Sequence, residues 1–186
     1  KGVQRQRASS DAPRTTFALE ALEPRLLLSA DLTYTTATHH DVAVHSDGTN
    51  IGIFDATDVL FATPLVPTQL IADTSAVRIA GSASADHLTI DLTDLSELPI
   101  FFTDSTAADG DELSVVGIDA LSWTLSGLGE GYAAAGGGVT FLGVENLLGA
   151  ADNEDAFIFD AAGRLSGVAD GGDGGFDTLV LGSGVF

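Results

Sequence analysis

The fold is most clearly indicated by GSASADHLTID at residues 81–91, where a glycine-containing turn and an aspartate precede a short apolar strand. Leu88 and Ile90 alternate with polar residues, and this period of two predicts a strand with one buried face. Comparable units of glycine, aspartate and alternating apolar residues follow Gly110, Gly149 and Gly171. The sequence therefore contains a degenerate internal repeat.

The spacing of this repeat predicts the architecture. Its aspartates are Asp86, Asp111, Asp155 and Asp177, and successive members are 25, 44 and 22 residues apart. A period of 22–25 residues suits one turn of a parallel β-solenoid, in which each turn stacks its aliphatic residues on the next. The interval of 44 residues would hold two turns, with strands at 122–125 and 139–142. We therefore predict an all-β fold with a right-handed parallel β-solenoid (β-helix) body, and a β-sandwich of the same short strands is the alternative.

Charge and composition divide the 186 residues into three segments. Residues 1–31 are basic, and we expect them to be disordered at first and then to form a short helical segment. Residues 32–76 are expected to be a β-rich lead-in or cap, with short strands at the apolar runs 42–44, 51–53 and 59–61, the first two forming a hairpin. Residues 77–186 are expected to be the acidic solenoid repeats, truncated at the C-terminus. An open solenoid end predicts self-association.

The charge excludes several functions. The formal net charge is −20, and residues 31–186 hold two arginines against 24 acidic residues. Such a surface repels phosphate backbones, so we predict no nucleic-acid binding. Cysteine is absent, which excludes disulfides and thiolate chemistry. No apolar run approaches the roughly 20 residues of a membrane-spanning helix, so we predict no transmembrane segment.

The pattern of residues does not indicate an enzyme. There is no G-x-S-x-G nucleophile motif, and no pair of carboxylates stands out among so many. The enzymatic alternative is a polysaccharide-degrading β-helix, a lyase or glycosidase. Its cationic groups would be limited to Arg78 and Arg164, and its sugar-stacking rings to Trp123 and Tyr132. We therefore predict a non-enzymatic protein.

A short motif lies near the N-terminus. Leu22-Glu23-Pro24-Arg25-Leu26-Leu27-Leu28, followed by Ser-Ala-Asp, resembles the signature of the LEPR-XLL domain. That domain occurs near the N-terminus of very large, repetitive bacterial surface proteins. The resemblance implies export to the cell surface or outside of a Gram-negative-type bacterium, with the motif acting in sorting or anchoring. From its helical spacing alone, the same segment could be an amphipathic helix that covers the open end of the body.

The body resembles the β-helical repeat regions of large exported adhesins. The resemblance rests on GVTFLGVENL at residues 138–147 and DNED at residues 152–155. It implies a structural or adhesive role, with an extracellular ligand or a cell-envelope component as the partner.

One segment suggests calcium. GGDGGFDTL at residues 171–179 is similar to the RTX nonapeptide, with one additional residue before the final aspartate. The resemblance implies calcium ligands at Asp173 and Asp177, with Asp152 and Asp155 on the facing turn. The alternative is that these aspartates only cap solvated turns by bonding to their own backbone.

The four histidines lack a metal-binding motif. They are His39, His40, His45 and His87. No H-E-x-x-H arrangement is present, so we expect them to face solvent on a hairpin.

Overall fold

The computed structural model describes residues 29–95, 97–105, 109–134 and 136–183. The LEPR-XLL-like residues 22–28 lie outside these ranges. Within them the fold is all-β, as predicted, with one 3-10 turn at Ile71–Asp73 and no α-helix. Consistently, nothing helical in these ranges has the length and hydropathy needed to cross a bilayer.

The strands of the described ranges are β1 (Ala30–Thr35), β2 (Asp41–Ser46), β3 (Asn50–Asp55), β4 (Gln69–Leu70), β5 (Thr74–Ala80), β6 (His87–Asp91), β7 (Ile100–Thr103), β8 (Glu112–Val116), β9 (Ala120–Leu125), β10 (Glu130–Ala134), β11 (Val139–Leu142), β12 (Asn146–Leu148), β13 (Glu154–Phe159), β14 (Ala169–Asp170) and β15 (Thr178–Leu181).

These strands form two mixed sheets. The eight-stranded sheet has the order β1-β5-β7-β11-β10-β9-β13-β15, and the seven-stranded sheet has the order β14-β12-β8-β6-β2-β3-β4. The chain passes repeatedly from the first sheet to the second, as in β1 to β2, β5 to β6 and β7 to β8. Strands of successive passages pair in parallel, so each passage lies beside the previous one.

The parallel register aligns apolar residues in columns between the sheets. In the seven-stranded sheet, Val42, Leu88, Leu113 and Leu147 are successive register partners and are almost fully buried. A similar column in the eight-stranded sheet begins at Val77 and continues with Ile100 and Val139. Complete burial of such a side chain stabilises the fold by about 1.5–3 kcal/mol. The alternating pattern read from Leu88 therefore corresponds to the core.

Two segments depart from the parallel pattern. β2 and β3 form an antiparallel hairpin, which confirms the hairpin predicted at residues 42–53. β9 and β10 form a second hairpin, inserted beside β11 in the eight-stranded sheet. The strands predicted at residues 122–125 and 139–142 are confirmed as parts of β9 and β11.

Two sequence predictions were wrong. Residues 59–61 belong to no strand: Val59 and Leu60 lie in a turn and are more than 80% exposed. The interval of 44 residues between Asp111 and Asp155 is not two equal periods, because the chain changes sheet within it. Asp111 precedes β8 of the seven-stranded sheet, whereas Asp155 lies in β13 of the other sheet. The cause is the inserted hairpin.

Candidate metal centre

Three acidic residues stack at one end of the seven-stranded sheet. Asp86, Asp111 and Glu145 directly precede β6, β8 and β12. The first residues of those strands are register partners of one another. Parallel pairing therefore brings together acids that are 25 and 34 residues apart in the chain.

Hydrogen bonds connect each of these acids to the next. The backbone N–H of Asp86 donates to Asp111 Oδ1 at 2.8 Å, and the N–H of Asp111 donates to Glu145 Oε2 at 2.9 Å. The eight-stranded sheet repeats this arrangement, since the N–H of Asp155 donates to Asp177 Oδ1 at 2.9 Å. A carboxylate in each turn is thus held by the backbone of the preceding turn.

Two further carboxylates complete what we call the acidic cluster: Asp86, Asp104, Asp109, Asp111 and Glu145. Carboxylate oxygens of Asp86, Asp104 and Asp111 lie within 4.8 Å of one another. The same holds for Asp109, Asp111 and Glu145, so Asp111 belongs to both sets. Close to it, Gly81 leaves room for Asp104, whose Oδ2 would lie 2.7 Å from a Cβ at the glycine position.

The cluster is deeply buried. Asp86 and Asp111 have no exposed surface, and Asp104 is 3% exposed. Oδ2 of Asp111 and both carboxylate oxygens of Asp109 are shielded from solvent and have no hydrogen-bond partner. Burial of an unpaired carboxylate is costly, because the ion loses its hydration without compensation.

The pKa values of two aspartates in the cluster are raised. Burial, together with the neighbouring carboxyls of Asp104 and Asp109, raises the pKa of Asp111 to about 8. Burial also raises the pKa of Asp109, together with the charges of Asp104 and Glu145. Like charges at this distance disfavour simultaneous ionisation. The cluster therefore requires bound protons or a cation.

Positive side chains are scarce around the cluster. His40 Nδ1 lies 2.7 Å from Asp86 Oδ1. Arg78 and Arg164 are the only arginines of the described ranges, and these ranges contain no lysine. Arg78 Nε lies 2.6 Å from Asp31 Oδ2. Within the described ranges, neither arginine forms an ion pair with Asp86 or Asp111. An all-oxygen set of this kind could hold a metal ion, and it suits a hard cation.

The calcium ligands predicted from sequence lie elsewhere. Asp155 is buried and accepts hydrogen bonds from the Ala150 N–H and from Asn153 Nδ2, both at 3.1 Å. Asp152 and Asp173 are exposed. The backbone N–H of Asp152 donates to the carbonyl oxygen of Asp173 at 2.9 Å. The two turns therefore face each other, as expected. Calcium binding at these residues and at Asp177 stays a prediction.

Sequence reasoning predicted no metal-binding role for the acidic cluster, and it identified Asp86 and Asp111 only as positions of the repeat. Asp104 and Asp109 stand in the acid-rich segment TDSTAADGDE at residues 103–112, which was an available signal. Glu145 gave no signal, because the inserted hairpin separates it from Asp111. Its position depends on the register between β12 and β8.

The histidines pair with aspartates of neighbouring strands. His45 lies 3.0 Å from Asp91, and His87 lies 2.8 Å from Asp41. With His40 beside Asp86, these contacts connect the strands of the seven-stranded sheet. His40 and His45 are partly buried, whereas His87 faces solvent, so the expectation of solvent-facing histidines is met only in part.

The aromatic residues considered for sugar binding are placed differently. Trp123 is fully buried and stacks on Phe157 with centroids 5.9 Å apart, so it offers no surface to a sugar. Tyr132 is 42% exposed. The other notable concavity is an apolar cleft of about 550 Å³ between the sheets, where Phe159, Leu165 and Leu179 are among the lining residues.

Comparison with known proteins adds no relative. No family model matches the chain, and neither the curated proteins nor the solved structures contain a significant match. The site must therefore be interpreted from its own geometry.

Proposed function

We propose that this chain is a non-enzymatic, structural part of a large exported bacterial surface protein of the adhesin type, and that its body is a right-handed β-solenoid. The observation that carries the proposal is the parallel register of successive passages, which aligns Val42, Leu88, Leu113 and Leu147 in one buried column. Such stacking of one repeat on the next is typical of solenoids.

The connectivity favours a solenoid over the β-sandwich alternative. A sandwich of the immunoglobulin type consists of antiparallel sheets with Greek-key connections. Here β1, β5, β7 and β11 are parallel neighbours in one sheet, and β2, β6, β8, β12 and β14 are parallel neighbours in the other. The antiparallel pairs belong to β3 and β4 and to the inserted β9–β10 hairpin.

The exported location is supported by sequence. The LEPR-XLL-like residues 22–28 would act in sorting or anchoring at the surface of a Gram-negative-type bacterium. Residues 1–31 would form this head, 32–76 the lead-in and 77–186 the repeats. An extended, acidic β surface suits an extracellular ligand or a cell-envelope component, and divalent ions outside the cell would relieve its self-repulsion.

Disulfide trapping tests the solenoid. Phe101 and Thr140 are parallel register partners in β7 and β11, although 39 residues separate them. The chain lacks native cysteines, so F101C/T140C should form one disulfide on oxidation, since register neighbours fall within the Cα range of about 4.4–6.8 Å. The control F101C/L142C is displaced by two residues and should not close. A disulfide in the control and none in the test pair would refute the register.

Export is tested by a change in the motif. Alanine substitution of Leu26, Leu27 and Leu28 in the chain expressed in its own host should leave the protein inside the cell, measured by surface labelling. An unchanged surface signal would remove the sorting role.

Separately, the polysaccharide-degrading alternative predicts release of reducing or unsaturated sugar ends, which the proposed structural role does not.

A further inference from the structure

We propose that the acidic cluster is a binding site for one calcium ion that joins successive turns of the body. The ion would lie against the unpartnered Oδ2 of Asp111, with oxygens of Asp86, Asp104, Asp109 and Glu145 around it. This inference deepens the proposed structural role by naming an ion that supports the stacking. It concerns turns other than those of the RTX-like segment.

The first argument is the orphaned oxygen at the centre. Asp111 is completely buried, and its Oδ1 already accepts the Asp86 N–H. Its Oδ2 has no hydrogen-bond donor, and a carboxylate oxygen of Asp111 lies within 4.8 Å of carboxylate oxygens of Asp86 and Asp104. The two oxygens of Asp109 add two more shielded acceptors without a partner. Buried acceptors of this kind are rarely left without a proton, a water or an ion.

The second argument is the size of the oxygen cage. Calcium binds oxygens at 2.3–2.6 Å, so two ligands of one calcium ion lie at most about 5 Å apart. Within each of the two sets, the carboxylate oxygens lie within 4.8 Å of one another, which meets that limit. Magnesium gives up its water ligands reluctantly and demands near-ideal octahedral geometry, whereas calcium accepts more oxygens in flexible arrangements. A site made of protein carboxylates is therefore better suited to calcium than to magnesium.

The third argument is charge. The five carboxyls form two sets that share Asp111, and His40 is the basic group that contacts Asp86. A divalent ion would compensate two of the negative charges, so fewer protons would be needed on the cluster. Hard cations with oxygen ligands match this composition, whereas zinc favours nitrogen and sulfur.

The position of the cage gives the ion a structural effect. Asp86, Asp111 and Glu145 precede three neighbouring strands of the seven-stranded sheet, and Asp104 follows β7 of the other sheet. An ion bound to all of them would connect three turns and both sheets at one point. Ion binding to the folded state alone raises its stability by mass action.

The test is calcium titration of the purified full chain after treatment with EDTA. We expect saturable calorimetric binding of about one ion at this cluster. At a calcium concentration 100 times the Kd, the melting temperature should rise by about 5–10 °C. Magnesium should bind more weakly than calcium. Absence of calcium binding at millimolar concentration would overturn the proposal.

Two matched variants, D111N and D173N, test whether the ion binds at the acidic cluster or at the RTX-like turn. D111N keeps an acceptor for the Asp86 N–H but loses one charge, so calcium affinity should fall at least tenfold while the EDTA-treated protein melts at the same or a higher temperature. D173N, in the exposed RTX-like turn, should retain the calcium-induced shift. Loss of the shift in D173N together with its retention in D111N would move the site to the predicted turns and refute the cluster.

E145Q is a second variant of the acidic cluster, to be used if D111N does not fold. E145Q retains the side-chain oxygen that accepts the Asp111 N–H, and it should also weaken calcium binding. Unchanged affinity in a folded E145Q or D111N would contradict the proposal. These results are independent of export and disulfide trapping, so a negative outcome here leaves the proposed surface role standing.

Discussion

Replacement of Asp155 by alanine tests whether this buried aspartate holds the backbone or a metal. Asp155 is 2% exposed, and its carboxylate accepts the Ala150 N–H and Asn153 Nδ2. The N–H of Leu121 is a third donor that favours its charged form. A buried donor left without an acceptor costs about 1–3 kcal/mol.

The net effect is smaller than the sum of these losses. Burial raises the pKa of Asp155, and the negative charge of Asp177 adds to this effect, so removal of the carboxyl also removes an unfavourable desolvation. We expect a net loss of about 2–4 kcal/mol in the free energy of unfolding. This is a large part of the total of about 5–15 kcal/mol for an ordinary domain.

Urea unfolding in EDTA, followed by fluorescence of the single Trp123, measures this loss. With a slope of about 2 kcal/mol per molar urea, the midpoint of D155A should fall by about 1–2 M. D173A removes an exposed aspartate from the facing turn and should change stability by less than about 0.5 kcal/mol. If D155A lowered the free energy of unfolding in EDTA by no more than D173A does, or lowered it only when calcium is present, the interpretation that Asp155 holds the backbone would be refuted.

Three other changes test the core and the acidic cluster. G171A places a Cβ against the Asp177 carboxylate and should cost about 1–3 kcal/mol in urea unfolding; a neutral result would contradict that packing. F157A removes the ring stacked on Trp123 and should cost about 3–5 kcal/mol, whereas a loss below 1 kcal/mol would argue against a packed core there. Because the pKa of Asp111 is raised to about 8, the folded chain in EDTA retains a proton that the unfolded chain releases above about pH 4. Its stability should therefore fall between pH 5 and 8, by at most about 1.4 kcal/mol per pH unit, and urea midpoints that rise over this range would refute the assignment.

Local patterns predicted local structure well. The alternation at Leu88 and Ile90 predicted a strand whose apolar residues are buried, because a period of two places them on one face. The turn at residues 45–50 predicted the β2–β3 hairpin for a similar reason, since its strands are close in sequence. At residues 59–61 the same reasoning failed, because apolar composition does not ensure that a strand finds a neighbour.

The acidic cluster could not be predicted from such patterns. The proximity of Asp111 to Asp86 follows from the repeat, because both precede parallel neighbouring strands. Glu145 joins them only because β10 and β9 lie beyond β11, which leaves β12 free to pair with β8. This strand order depends on contacts between residues far apart in sequence, such as Trp123 with Phe141, and the sequence near Glu145 does not indicate it.

The inserted hairpin also has a geometric consequence. β10 and β9 lie between β11 and β13, whereas β12 and β14 are direct neighbours in the facing sheet. At about 4.8 Å per strand, one layer advances about 14 Å where the other advances about 5 Å. Two stacked layers that advance unequally should bend toward the shorter one, so we expect the eight-stranded sheet on the convex side of the bend. Shortening the β9–β10 hairpin should reduce this curvature while the parallel pairs of the other strands stay in place.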